Sequence, residues 1–287
     1  MYNGIKAQIK FNGDLSETFS CQLGVRQGEN LSPFLFSIYL NDLESFLETN
    51  KIEGLQQISE LFLNELQMYE KLLLMLYADD TIIFAESPEK LQNALTCFEE
   101  YCNLWKLKVN TDKTKIMIFG KSNKNKGSFS FTYGGSNIEI VDSFKYLGVI
   151  FTNSRNFKVN IKERFDKATR AMFNVLAKCK EHNLSIDCQL DLFDKIIQPI
   201  LLYGCEVWGF TKNTFTEKLH LKFCKYILNL SSKTTNGMVY GELGRYSLLV
   251  AIKVRMISFW AKLHFSPDIE KLSVRIYHLV YREIFNG

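Results

Sequence analysis

The sequence predicts an α+β fold, with short antiparallel hairpins and two amphipathic helices in the first half and basic helices in the second. Three observations carry that expectation. Turn signals between short apolar or alternating runs recur at Asn12-Gly13, Asp79-Asp80 and Gly134-Gly135. Two Ser-Pro pairs, Ser32-Pro33 and Ser87-Pro88, each stand just before a stretch of helical periodicity. From about Phe157 onward the pattern turns helical and rich in lysine and arginine.

A chain of 287 residues, 46% of them hydrophobic, can bury a sizeable core and is expected to form two subdomains. Its net charge of +4 conceals an asymmetry. Residues 1–100 hold 6 basic against 16 acidic side chains, and residues 101–287 hold 29 against 15, giving −10 and +14. A basic second part suits a polyanion, although a solvated basic helical surface would show the same composition. The seven cysteines are scattered and odd in number, with no Cys-x-x-Cys pair. They read as reduced residues of an intracellular protein, not as a zinc site or disulfide framework. The N-terminus has no apolar signal core, and no apolar run reaches membrane-spanning length, so no membrane partner is expected.

Taken in order, Ala7–Phe11 and Thr18–Leu23 are expected to pair around Asn12-Gly13, since a type I′ turn needs positive φ at both central residues. Gly24 and Gly28 bracket a loop where backbone can approach a ligand closely. Ser32 is the expected N-cap of a helix running to about Glu48, with Phe36, Tyr39, Leu40, Leu43, Phe46 and Leu47 on one face. Residues 50–71 read as a loop with a short helix. Two apolar runs then flank Asp79-Asp80, too apolar on both faces for a surface strand, and predict a buried hairpin with the acids near its bend. Burying two adjacent carboxylates is costly unless a cation lies between them, and Mg²⁺ takes oxygen ligands of this kind. The alternative is an exposed Asp-Asp turn without metal.

Beyond Ser87-Pro88, Leu91, Leu95, Phe98, Cys102 and Trp105 mark a helix with one buried stripe. A strand is expected at Ile116–Phe119, a basic loop at Lys121–Gly127, and a hairpin of Phe129–Tyr133 with Asn137–Val141. In the helix after Phe157, Ile161, Phe165, Ala168, Met172, Val175 and Cys179 form the apolar seam. Lys158, Lys162, Arg164, Lys167, Arg170 and Lys178 are expected to project elsewhere. A second helix, Ser185–Tyr203, should be interrupted near Pro199. Two more are marked by Leu219, Phe223, Ile227 and Leu230, and by Ile252, Met256, Phe259 and Leu263.

Tyr77-Ala78-Asp79-Asp80 between apolar strands resembles the active-site hairpin of reverse transcriptases. The resemblance extends to Gly24-Val25-Arg26-Gln27-Gly28 followed by Ser32-Pro33, to Asn110-Thr111-Asp112-Lys113-Thr114-Lys115, and to Phe144-Lys145-Tyr146-Leu147-Gly148. Leu202–Gly209 and Glu242–Tyr246 resemble the region beyond the polymerase core in non-LTR (long interspersed element) retrotransposon proteins. The resemblance implies a partial polymerase palm, an antiparallel sheet on two helices, over residues 1–152. Residues 153–287 would be a helical thumb and C-terminal extension. It implies that Asp79 and Asp80 hold Mg²⁺ for two-metal nucleotidyl transfer, and that Gln27, Gly28 and Tyr77 lie at the incoming nucleotide. Lys113 would meet the triphosphate, with a plain surface lysine as the alternative, and Leu147-Gly148 would grip the primer 3′ end. The implied partners are an RNA template, a DNA primer and deoxynucleoside triphosphates.

The family pattern also includes fingers and a palm strand bearing another metal-binding Asp, both before the Gln-Gly block. This sequence begins at Met1-Tyr2-Asn3-Gly4, after both, and Asp14 and Asp42 are not substitutes. The expectation is an N-terminally truncated reverse transcriptase, weak or inactive as this chain. The alternative is a non-catalytic nucleic-acid-binding remnant.

Overall fold

Asn12 and Gly13 both adopt positive φ, 48° and 100°, the pair of left-handed residues that a type I′ turn requires. They close a ribbon in the computed structural model, which describes residues 5–21, 24, 25, 28–59, 68–72, 74–120, 129–210, 214–268 and 271–286. The chain forms two compact units, Met1–Thr114 with Phe129–Ile138, and Lys115–Ser128 with Glu139–Gly287.

In the first unit, β1 (Ile5–Ala7), β2 (Lys10–Phe11), β3 (Asp14–Leu15) and β4 (Phe19–Cys21) make the ribbon, with Ile5 opposite Cys21 and Phe11 opposite Asp14. The expected helix over 32–48 is two helices, α1 (Ser32–Tyr39) and α2 (Leu43–Thr49). Ser32 lies inside the first turn of α1, and Leu31, in helical conformation, is the cap residue. The break falls at Leu40–Asp42, where the Asn41 and Leu43 amides reach back only three residues, to Ile38 and Leu40. This tight turn frees Asp42, whose carboxylate accepts a hydrogen bond from the Tyr101 hydroxyl at 2.6 Å.

Within residues 50–71, expected as a loop with a short helix, the described residues 55–59 and 68–71 are extended. β5 (Leu55–Ser59) pairs antiparallel with β6 (Met68–Leu72). The stretch mixes polar and apolar residues with neither helical nor strict alternating period, so pairing across the chain decides it. Next come β7 (Leu74–Tyr77) and β8 (Asp80–Ile83), and then α3 (Pro88–Leu104), whose cap Ser87 accepts from the Lys90 amide at 3.2 Å. Leu40, at the break, and Leu43 and Leu47 from α2 meet Ala94, Cys97 and Tyr101 from α3 in the core of this unit.

The expected strand over 116–119 is confined to β9 (Lys115–Ile116). β10 (Phe131–Tyr133) and β11 (Ser136–Ile140) pair around Gly134 and Gly135, at φ 58° and 73°. The end of β11 runs parallel to β9, Glu139 opposite Lys115. β12 (Ser143–Tyr146) and β13 (Val149–Thr152) form a last hairpin, packed on α4 (Lys158–Glu181).

The second unit is otherwise helical. α5 (Ile186–Leu192) passes through a π-helical stretch, Phe193–Ile197, into α6 (Gln198–Leu201). The expected interruption near Pro199 therefore takes the form of a wider turn just before the proline, which has no amide to donate. Short α7 (Cys205–Trp208), α8 (Phe215–Ile227), α9 (Asn236–Leu243), α10 (Leu248–His264) and α11 (Leu272–Asn286) follow. Ala168, Met172, Phe193, Leu202, Trp208, Phe223 and Val239 lie at the centre of one core drawn from α4 to α10. Only the first half of α10 joins it: Ile252 is buried and Met256 packs against it, whereas Phe259 is exposed.

A polar cluster around buried His220 ties this core together. Arg245 forks onto the Asp194 carboxylate and donates through Nε to His220 Nε2 at 3.2 Å. With Nε2 accepting, neutral His220 carries its proton on Nδ1, 3.4 Å from the Tyr240 hydroxyl, which bonds Glu217. Burial first, then the Arg245 charge, push the His220 ring down to about 4.

Candidate functional site

The acidic hairpin lies in the first unit. Tyr77 pairs with Asp80, so Ala78 and Asp79 are the two loop residues. Ala78 is left-handed at φ 52°, a conformation unfavourable for a residue with a Cβ. Leu74 and Ile83, at the far end of the ribbon, pack on the core of α2 and α3, whereas Met75, Leu76 and Tyr77 are exposed. Asp79 and Asp80 are also exposed.

This corrects the expectation of buried strands. The ribbon has two strands only, so no neighbouring strand among the described residues covers its tip. The desolvation cost that called for a cation is accordingly absent here. What remains is the donor chemistry: two adjacent carboxylates suit a single hard divalent ion, whose other ligands are water and substrate phosphate. Among the described residues no group of three or more His, Cys, Asp or Glu side chains could hold a metal ion.

Of the other residues singled out, Gln27 lies outside the described residues. Gly28 has φ 85°, so the loop before α1 uses glycine where a side chain would be strained. Lys113 is exposed on a turn built by Asn110, whose Oδ1 accepts from the Lys113 amide at 3.2 Å and whose carbonyl accepts from the Thr114 hydroxyl at 2.8 Å. No hydrogen bond or ion pair among the described residues joins Gly28 or Lys113 to the two acids.

The Leu147-Gly148 turn lies in the second unit. Tyr146 pairs with Val149, and the two loop residues have φ 44° and 81°. Beside it is an apolar cleft of about 570 Å³, lined by Leu147, Phe151, Tyr203 and Arg255 among others. Arg164, expected to project from α4, instead turns inward, is 8% exposed, and donates to the Gly148 carbonyl. Sequence periodicity assigned every cation of α4 to its polar face and so missed Arg164. It sits one helical turn after Asn160 and one before Ala168, both buried, and that spacing was the available signal. Lys158, Lys162, Arg170 and Lys178 are exposed as expected, whereas Lys167 is half-buried in an ion pair with Glu163 at 2.9 Å.

These hairpins and turns carry the motifs of a nucleotide-polymerising enzyme, and comparison with known proteins agrees. The reverse transcriptase (RNA-dependent DNA polymerase) family matches residues 1–151, more than half of the chain, and the chain belongs to that family. Within it, the relatives place the chain in the non-LTR (LINE-type) branch. It is 24% identical over 232 residues to the RNA-directed DNA polymerase from mobile element jockey of Drosophila melanogaster, covering 78% of this chain and 23% of that protein. The Drosophila funebris counterpart is 26% identical over 239 residues, 80% of this chain and 24% of its own length. The probable RNA-directed DNA polymerase from transposon X-element of D. melanogaster is 22% identical over 253 residues, 82% and 24% respectively. The chain thus spans about a quarter of the length of these relatives. The family implies dependence on a divalent metal in general, and use of an RNA template and nucleotides. Among the described residues no helix is long and apolar enough to cross a membrane.

Proposed function

We propose that the chain is the catalytic-hairpin and primer-binding portion of an RNA-directed DNA polymerase, which extends a DNA primer along an RNA template with deoxynucleoside triphosphates. The observation that carries this is the Tyr77–Asp80 register, which presents two adjacent carboxylates at the strained tip of a ribbon anchored by Leu74 and Ile83. Asp79 and Asp80 would hold Mg²⁺, which would offset negative charge at the transferring phosphoryl group. Gln27 and Gly28 would let backbone approach the nucleotide, and Tyr77 would shape the pocket. Lys113, without an ion-pair partner among the described residues, would meet the triphosphate. Leu147-Gly148 would support the primer end. In this reading residues 1–152 are palm, and residues 153–287 are a thumb with its C-terminal extension. The exposed cations of α4 would follow a phosphate backbone.

The test is RNA-templated primer extension by a protein of the relatives' length that carries this chain. Asp79→Asn should lower incorporation by at least about 10²-fold, with primer–template binding retained. Unchanged incorporation would overturn the assignment. The charge asymmetry favours one other reading, a nucleic-acid-binding remnant without turnover. Salt-dependent binding with no incorporation in the parent-length protein would select it.

A further inference from the structure

A two-residue turn at the tip of a two-stranded ribbon is ordinarily a mobile feature. The Leu147-Gly148 turn is instead tied down from behind at both its carbonyls, and the strand leaving it at one amide. The Tyr203 hydroxyl donates to the Leu147 carbonyl at 2.9 Å. Arg164 Nη2 donates to the Gly148 carbonyl, and Asn160 Oδ1 accepts from the Ile150 amide at 3.1 Å. The two turn-holding side chains also hold each other, since the Arg164 guanidinium lies 4.7 Å from the centroid of the Tyr203 ring.

Each of these features is costly unless it has a use. Arg164 is 8% exposed and has no ion pair among the described residues, and its Nε, buried, has no hydrogen-bond partner. Among the described residues its charge is met by a carbonyl and an aromatic face, where a carboxylate would be the usual partner for a buried cation. Leu147 adopts φ 44°, a left-handed conformation that its side chain disfavours. Gly148 leaves little room, because a Cβ there would lie 3.3 Å from Arg164 Nη2 and 3.4 Å from the Tyr203 ring. The outcome is a turn whose Leu147 side chain stays 39% exposed while the backbone beneath it is fixed.

We propose that Arg164 and Tyr203 are positioning residues for the primer 3′ end: they fix the Leu147-Gly148 turn at one height, so that the exposed Leu147 side chain meets the terminal nucleotide in one place. The inference rests on the primer-gripping role proposed for this turn, and it adds Arg164 of α4 and Tyr203 of the turn between α6 and α7, neither of which belongs to the Leu-Gly motif.

The test uses the full 287-residue chain and a DNA primer annealed to an RNA template. 2-Aminopurine is placed at the primer 3′ terminus or, as a control, well upstream in the duplex. Overall affinity is read by anisotropy, and placement of the end by 2-aminopurine fluorescence. Tyr203→Phe and Arg164→Lys should keep overall affinity within about twofold, because phosphate contacts dominate it. They should reduce the terminal fluorescence response by roughly threefold to tenfold, the range of one lost hydrogen bond, and leave the upstream probe unchanged. A purely structural lesion would move both probes and the affinity together. Should Arg164→Lys lower the melting temperature into the working range, Tyr203→Phe, which keeps the ring, decides the matter. A wild-type terminal response in Tyr203→Phe overturns the proposal. Leu147→Glu separates the two ideas. If it abolishes the terminal response while Tyr203→Phe does not, the turn grips the primer and the positioning inference alone is wrong. If Leu147→Glu changes nothing, or the wild-type chain gives no terminal response, the primer-gripping role itself fails and the inference with it.

Discussion

The Tyr101 hydroxyl on α3 donates to Asp42 Oδ1 at 2.6 Å, joining the last turn of one helix to the break between two others. Tyr101 has no exposed surface, and burial together with the Asp42 carboxylate drives its phenol well above the ordinary range. The bond holds the α1–α2 corner over the same core on which the acidic ribbon rests.

Tyr101→Phe keeps the ring and removes only that bond. Because Asp42 is exposed and can be rehydrated, the expected loss is about 1–2 kcal/mol, the worth of a hydrogen bond to a charged acceptor. Chemical denaturation should show a lower midpoint with an unchanged slope. An unchanged midpoint would mean that the corner is held by packing alone.

The His220 ring gives a pH signature. Its pKa is depressed from the ordinary 6.5 to about 4 in the folded state, so between those values the unfolded chain binds a proton that the folded one does not. Stability is therefore retained above about pH 6.5, falls as pH drops toward 4 by up to about 3 kcal/mol, and loses no more on this account below that. Unfolding measured at pH 7, 5.5 and 4 should show this slope in the wild type and a flatter one in His220→Gln. Parallel slopes would exclude His220 as the cause.

Gly209 sits where α7 crosses α10. A Cβ there would lie 2.5 Å from the Cys205 carbonyl oxygen, 2.5 Å from Met256 sulfur and 2.6 Å from Ile252 Cγ2. Gly209→Ala should destabilise the second unit by about 1–3 kcal/mol, the usual cost of overpacking. Thermal unfolding followed by hydrogen exchange in α10 reads the effect, and unaltered protection there would show that the crossing can open without cost.

How far the sequence announced these features depended on how local their causes are. Asn12-Gly13, Gly134-Gly135 and Ser87-Pro88 act through their own dihedrals and side chains, and each produced the turn or cap it signalled. Ser32-Pro33 looked the same, yet Leu31 took the cap position, and the single expected helix broke at Asn41-Asp42 so that Asp42 could meet Tyr101, 59 residues away. Pairing of β5 with β6 is likewise set across the chain, where no local period reveals it, whereas the inward turn of Arg164 was legible only in its helical spacing from Asn160 and Ala168. The apolar flanks of Asp79-Asp80 announced a hairpin correctly. Its burial at the tip is not a local property, and there Tyr77 is 62% exposed.

The charge asymmetry leads to a salt dependence. Lys158, Lys162, Arg170 and Lys180 are exposed along α4. If these cations contact phosphates, the logarithm of primer–template affinity should fall linearly with the logarithm of salt concentration. Lys162→Ala and Arg170→Ala should each lower the slope by about 1. A slope unaffected by both substitutions would place the nucleic acid elsewhere.

Paramagnetic broadening by Mn²⁺, used as a substitute for Mg²⁺ with primer–template and nucleotide present, tests whether the Asp79-Asp80 turn binds the ion. Amide resonances at Ala78, Asp79, Asp80 and Thr81 should broaden first and selectively, and the effect should vanish in Asp79→Asn/Asp80→Asn. Broadening spread evenly over the exposed acids, or selective broadening that survives the double substitution, would contradict the claim that this turn is where the ion binds.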